Sequence, residues 1–159
     1  MSLLATPSLD QPLYGATLTQ AVTRFFRNYA TFAGRASRSE FWWWALVAAI
    51  VNIVFGALIG LSINLANSGE ETTTAVASIM LAAVYLVYPV FSLGILVPSL
   101  ALFWRRLHDA NKPGVYVLFA LIPFGVGAII LLVFMLQPAD PAGQRFDKQP
   151  AFIPGRVSF

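Results

Sequence analysis

Residues 41–66 read FWWWALVAAIVNIVFGALIGLSINLA, a stretch without one side chain that ionises at neutral pH. About 20 apolar helical residues cross a ~30 Å hydrocarbon core, so this stretch is long enough for one crossing. Two further intervals share the property. No charge lies between Glu71 and Arg105 or between Lys112 and Asp140, and their apolar parts run from about Ala75 to Phe103 and Val115 to Leu136. Lipid offers the backbone no hydrogen-bond partner, so each run is expected to be a helix, and three strands could not close a barrel.

The composition agrees. Apolar residues make up 58% and charged residues 11%, with mean hydropathy +0.72, where a soluble domain carries about 25% charged residues. There is no cysteine and a single histidine, His108. That excludes disulfides, thiolate metal sites and cysteine nucleophiles, and it leaves no histidine set for a metal. No cofactor is indicated.

The expected fold is an all-α membrane protein with three transmembrane helices at about 41–66, 75–103 and 115–136. An N-terminal amphipathic interfacial helix precedes them. The second span is long and holds Pro89 and Pro98, which predict a kink. The third contains Ile122-Pro123-Phe124-Gly125, expected as a kink, with a re-entrant turn as the alternative. Phe41, Trp42, Trp43 and Trp44 read as an aromatic belt at the headgroup boundary. Residues 1–15 are read as flexible, 16–40 as an amphipathic helix plus a Gly-Arg motif, 41–136 as the transmembrane domain and 137–159 as a tail.

Charge sets the orientation. Arg24, Arg27, Arg35 and Arg38 precede the first span, and Arg105, Arg106 and Lys112 follow the second. The loop between them carries Glu70 and Glu71 and no basic residue. The positive-inside rule places the N-terminus and second loop in the cytoplasm. Three full spans would then put the tail, with Arg145, Lys148 and Arg156, outside.

From Thr17 to Phe32, Leu18, Ala21, Val22, Phe25, Phe26, Tyr29 and Phe32 recur at helical spacing. Arg24, Arg27 and Asn28 fall largely on the other side. Such a helix suits the membrane surface or the protein's own cytoplasmic loops. Ser37 and Glu40 have the spacing of a capping box directly before the first span.

Two polar clusters sit two spans apart, and hence on one face: Gly34-Arg35-Ala36-Ser37-Arg38-Ser39-Glu40 and Arg105-Arg106-Leu107-His108-Asp109. The candidate site is Arg35, Arg38, Glu40, Arg105, Arg106, His108 and Asp109, read as an interfacial network that contacts lipid headgroups or a partner. Arginine suits phosphate through its planar fork of donors. A His beside a carboxylate can act as a general base, but no further ligand or nucleophile is placed by the sequence, so no catalytic residue is assigned.

Gly34-Arg35-Ala36-Ser37-Arg38-Ser39-Glu40-Phe41-Trp42 resembles the opening motif of the bacterial inner-membrane family called domain of unknown function 805. Arg105-Arg106-Leu107-His108-Asp109 resembles its second motif and Gln144-Arg145-Phe146 its tail motif. The chain departs from the family pattern at Asn111, Pro113 and Val115, and at Asp147. The resemblance implies a multi-pass protein of the bacterial inner (cytoplasmic) membrane and implies no activity.

The leading functional expectation is therefore a membrane-embedded interaction or scaffold protein. Its partners would be membrane lipids, anionic ones above all, with a protein partner or a second copy of the chain as further candidates. Nucleic acid is not expected, because the basic residues flank spans and show no reader motif. The alternatives are an oligomeric transporter or channel, for which no span offers a charged residue, and an interfacial enzyme acting on lipid.

Overall fold

The computed structural model describes residues 7–147. Residues 1–6 of the expected flexible N-terminus, and Lys148 and Arg156 of the tail, lie outside the described residues. The described residues are mostly helical, with no strand among them: α1 Leu18–Arg27, α2 Arg38–Ala66, α3 Glu71–Asp109, a 3-10 helix Gly114–Leu121, α4 Val126–Leu136 and a 3-10 turn Pro141–Phe146.

Local sequence explains most boundaries. Thr17 and Gln20 form a capping box at the start of α1, and Ser37 and Glu40 form another at the start of α2. Each satisfies two backbone donors that a helix start leaves open. Between these helices Gly34 takes φ +86°, and a Cβ there would overlap the Asp10 carbonyl oxygen. Only glycine combines that dihedral with so close an approach.

α2 and α3 form an antiparallel pair, the two longest helices of the chain, and both are long and apolar enough to cross a membrane. Only 6% of the most apolar 18-residue stretch of each is buried. Ile79 and Leu86 are each 71% exposed. A core helix of a soluble protein would hide these residues, whereas a lipid-facing helix exposes them. α3 runs unbroken through Pro89 and Pro98. Proline 98 has no N–H to donate to the Gly94 carbonyl. The Tyr29 hydroxyl, from the α1 side, donates to that oxygen instead at 2.7 Å. Asn52 and Tyr88 join the two long helices through a 2.7 Å hydrogen bond.

The expected third span differs. Residues 115–136 do not form one helix. The 3-10 helix ends at Leu121, Phe124 and Gly125 both take positive φ (60° and 77°), and α4 restarts at Val126. Pro123 supplies no backbone donor, which helps to stop the helix there. α4 has 11 residues, about 16 Å at 1.5 Å per residue, or roughly half of a ~30 Å core. The segment runs down beside α3 and returns, as a hairpin whose tip residue Phe124 is 98% exposed. The tail consequently comes back to the end of the helix pair where α1 lies. The Asp140 amide donates to the Asp109 carbonyl and the Gly34 amide to the Phe146 carbonyl.

The buried core is small and sits at that same end. Phe25, Ala36, Phe41, Trp44, Leu102, Leu107 and Met135 pack together, with Phe25 stacked on Trp44. One residue from each of α1, the α1–α2 link and α4 joins α2 and α3 there, which positions the polar cluster directly beside the core.

Candidate functional site

The polar cluster is built around Arg24 of α1 from four further parts of the chain. These are the strap of residues 7–16, the Gly34–Glu40 turn, the last turn of α3 and the tail. Residues 105–109 extend α3 beyond the apolar span 75–103, so they stand at the boundary of the apolar zone. Of the seven candidate residues, Arg35, Glu40, Arg105, Arg106, His108 and Asp109 are buried. Arg38 is exposed and makes no ion pair among the described residues.

Glu40 is one centre. One carboxylate oxygen accepts from Arg24 Nε. The other accepts from the backbone amides of Leu13 at 3.1 Å and Ser37 at 2.8 Å. Arg24 in turn donates to the carbonyls of Pro7, Ser8, Leu9 and Gln11. The Ser37 hydroxyl donates to the Leu13 carbonyl at 2.6 Å. The strap is thus tied to both α1 and α2 through one charge pair and its neighbours. Residues 7–15, expected to be flexible, are held in this way.

Asp109 is the second centre. It accepts from Arg106 NH1 at 2.8 Å and from the Tyr14 hydroxyl at 2.9 Å, while Arg35 NH1 stands 3.8 Å away. Arg106 also donates to the carbonyls of Met135 and Gln137, which end α4. Arg35 makes a bidentate pair with Asp147 at 2.9 and 2.8 Å. Burial pushes the Asp109 carboxyl up, against the Tyr14 hydrogen bond and the Arg106 and Arg35 charges. Burial and the Asp109 carboxylate push the Tyr14 phenol up to about 12. The Asp147 hydrogen bonds hold the Arg35 guanidinium above its usual value.

His108 lies between the motifs. Its ring stacks on Phe146 at 4.0 Å and 5°, stands edge-on to Trp104, and places Nδ1 3.0 Å from the Gly34 carbonyl. Burial pulls its pKa down, against the Gly34 hydrogen bond. Gly143 must be glycine here, because a Cβ would overlap the His108 carbonyl oxygen.

Arg105 stands apart. It is 1% exposed, and its Nε and NH1 have no hydrogen-bond partner among the described residues. Burial pulls it down to about 10, opposed by Glu40 and reinforced by Arg24. Among the described residues Arg24, Arg35 and Arg106 pair with Glu40, Asp147 and Asp109, and Arg105 is in none of these pairs.

Sequence reasoning missed Arg24, Tyr14 and Asp147 as members of the cluster. A signal for Arg24 exists: Ala21, Arg24, Phe25 and Asn28 share one helical face, and all four are buried. Of the apolar positions expected to form one face, Ala21 and Phe25 are buried, while Leu18, Phe26, Tyr29 and Phe32 are exposed. No group of three or more His, Cys, Asp or Glu able to hold a metal occurs among the described residues.

Comparison with known proteins bears on this arrangement. No solved structure matches the chain. The inner membrane protein YhaH of Escherichia coli K12 is 31% identical over 131 residues, covering 82% of this chain and 96% of its own. The inner membrane protein YhaI of the same organism is 31% identical over 129 residues, covering 79% and 91%. The family described as "Protein of unknown function (DUF805)" matches residues 29–148. That interval holds the Gly34–Glu40 turn, both long helices, the hairpin and the docked tail, and on this match the chain belongs to the DUF805 family.

Proposed function

We propose that the protein is a bacterial inner-membrane interaction or scaffold protein whose cytoplasmic end meets anionic lipid or a protein partner. It crosses the membrane twice, through α2 and α3, and the 114–136 hairpin re-enters from the cytoplasmic side. The N-terminal arm and the tail then share the cytoplasm, as the basic residues at that end favour.

One observation carries this reading. Arg24, Arg35 and Arg106 are spent on Glu40, Asp147, Asp109 and backbone carbonyls, so among the described residues they tie the cap together. That end of the molecule exposes Arg27, Arg38 and Arg145, and also Phe26 and Tyr29. Basic and aromatic side chains mixed at the edge of an apolar zone suit an anionic membrane surface. The exposed apolar side of α1, and the reach of Tyr29 to Gly94 on α3, support α1 as an interfacial helix.

One feature favours transport as a second reading. α4 is a half-length helix whose uncapped N-terminus is directed to mid-depth, as in half-helices that line transport sites. Against it, Asn52 and Tyr88, the polar pair within the spans, are bonded to each other.

Two measurements test the proposal. Reporter fusions after Asp147 and at the Loop 67–70 should report opposite sides, cytoplasmic and external respectively; an external tail would overturn the two-span topology. Phosphatidylglycerol added to the detergent-solubilised protein should raise its Tm more than phosphatidylcholine does. Arg27, Arg38 and Arg145 together changed to Gln should remove that difference, and equal shifts in the unaltered protein would overturn the lipid-facing role.

A further inference from the structure

Arg38 differs from the other six candidate residues in being exposed, and it makes no ion pair among the described residues. It opens α2, and its neighbours at i+4 and i+8 are Trp42 and Leu46. Ser39, Trp42, Trp43 and Leu46 line an apolar surface groove of about 260 Å³. The walls are fixed: Trp43 Nε1 donates to the Ala16 carbonyl at 2.9 Å, and Trp42 packs edge-on against Phe41. Below the groove the exposed column continues through Ile50, Ile53 and Val54. Trp42 to Val54 spans about 18 Å at 1.5 Å per residue, close to the half-thickness of a ~30 Å hydrocarbon core. An acyl chain of one leaflet has that reach.

The charge lies at the right end of this wall. Side chains on a helix lean toward its N-terminus, so Arg38 is carried away from the apolar wall and toward the headgroups. The positive end of α2 adds to the attraction for an anion there. A guanidinium offers phosphate a planar fork of donors, and no carboxylate pairs with this one among the described residues.

We propose that Arg38, Trp42, Trp43 and Leu46 form a binding site for one anionic phospholipid, with its headgroup phosphate on Arg38 and an acyl chain along the Trp42–Leu46 groove. The proposal deepens the membrane-interaction reading above and rests on it.

The test is tryptophan quenching in nanodiscs of phosphatidylcholine that contain a minor fraction of acyl-brominated phosphatidylglycerol or, separately, acyl-brominated phosphatidylcholine. A basic residue near an anionic surface is worth ~1 kcal/mol, so brominated phosphatidylglycerol should be preferred about fivefold. Arg38→Gln should bring the preference close to one; this exposed, unpaired residue can change without loss of the fold, and unchanged quenching by brominated phosphatidylcholine confirms that. Equal quenching by the two lipids in the unaltered protein would overturn the site and leave the membrane reading standing. A preference that survives Arg38→Gln would also overturn it, by placing the anionic lipid on other arginines. Quenching by neither lipid would overturn the site and the membrane reading together.

Discussion

Glu40→Ala should release the N-terminal strap and α1 from the helix pair. Glu40 accepts one guanidinium and two backbone amides, and its removal leaves Arg24 buried near Arg105, which has no ion pair among the described residues. Breaking a buried ion pair by deleting one partner costs ~3–5 kcal/mol. The amide bonds that Glu40 accepts belong to the same carboxylate, so about 4 kcal/mol, the middle of that range, is the expectation. At 1.4 kcal/mol per decade that is roughly a thousandfold in the opening equilibrium. Hydrogen exchange in nanodiscs reads this directly: amides of residues 13–28 should exchange far faster, while those in the middle of α2 and α3 keep their protection. Arg24→Met combined with Glu40→Ala should cost less than the sum of the single changes, because it removes the uncompensated charge. Strict additivity, or a loss of protection under tenfold in Glu40→Ala, would refute the account of Glu40 as the clasp.

Tyr29→Phe should cost about 0.6–1.7 kcal/mol by leaving the Gly94 carbonyl unpaired, measured by reversible unfolding in bicelles; in a Pro98→Ala background, where the helix regains its own donor, the same change should be nearly neutral. Arg106→Lys keeps a charge near Asp109 but loses the fork that reaches Met135 and Gln137; α4 should loosen by about 1–3 kcal/mol, seen as faster exchange at its C-terminal turn. Gly143→Ala should displace the tail from His108 and break the Arg35–Asp147 pair, exposing Arg145 to tryptic cleavage in the folded protein. His108 has a folded pKa below its usual value, so its contribution to tail docking is complete above the unfolded pKa of ~6.5 and is lost as pH falls below that value. Asp109, with its folded pKa raised, acts in the opposite sense, its contribution being lost as pH rises from the ordinary carboxylate range. The difference in tail protection between the unaltered protein and His108→Gln, followed from pH 7 to 5, isolates the contribution of the histidine.

The parts of this fold that were legible in the sequence are those set by local rules. The α2 start was readable because Ser37 and Glu40 are three residues apart, and both reciprocal bonds are present. The two long helices were readable because lipid demands length and charge exclusion, which composition reports directly. The third segment satisfied the same length rule and still does not form one helix. Its outcome depends on Pro123 and on positive φ at Phe124 and Gly125, where Phe124 is a residue type that rarely adopts such a dihedral. Within the cluster, the two motifs could be placed on one face by counting the spans between them. Their partners could not, since Arg24–Glu40, Tyr14–Asp109 and Arg35–Asp147 join residues 16, 95 and 112 positions apart. Chain distance of that size leaves no periodic trace.

The distribution of donors explains why arginine dominates the cluster. Next to the apolar zone an irregular backbone has few partners, and each unpaired carbonyl is costly. The strap of residues 7–16 and the end of α4 are irregular segments in that position. Arg24 donates to four strap carbonyls, and Arg106 donates to the two that close α4. A guanidinium has five donors in a fixed fork, so it can hold a carboxylate and several carbonyls at once, which an ammonium on a flexible stem does less well. Glu40 and Asp109 then keep those guanidinium charges compensated within the cap. The Arg-rich motifs are thus needed to fold the cap before they can meet any ligand. The residues to examine for ligand contact are the ones this internal task leaves over, Arg38 on the surface and Arg105 beneath it.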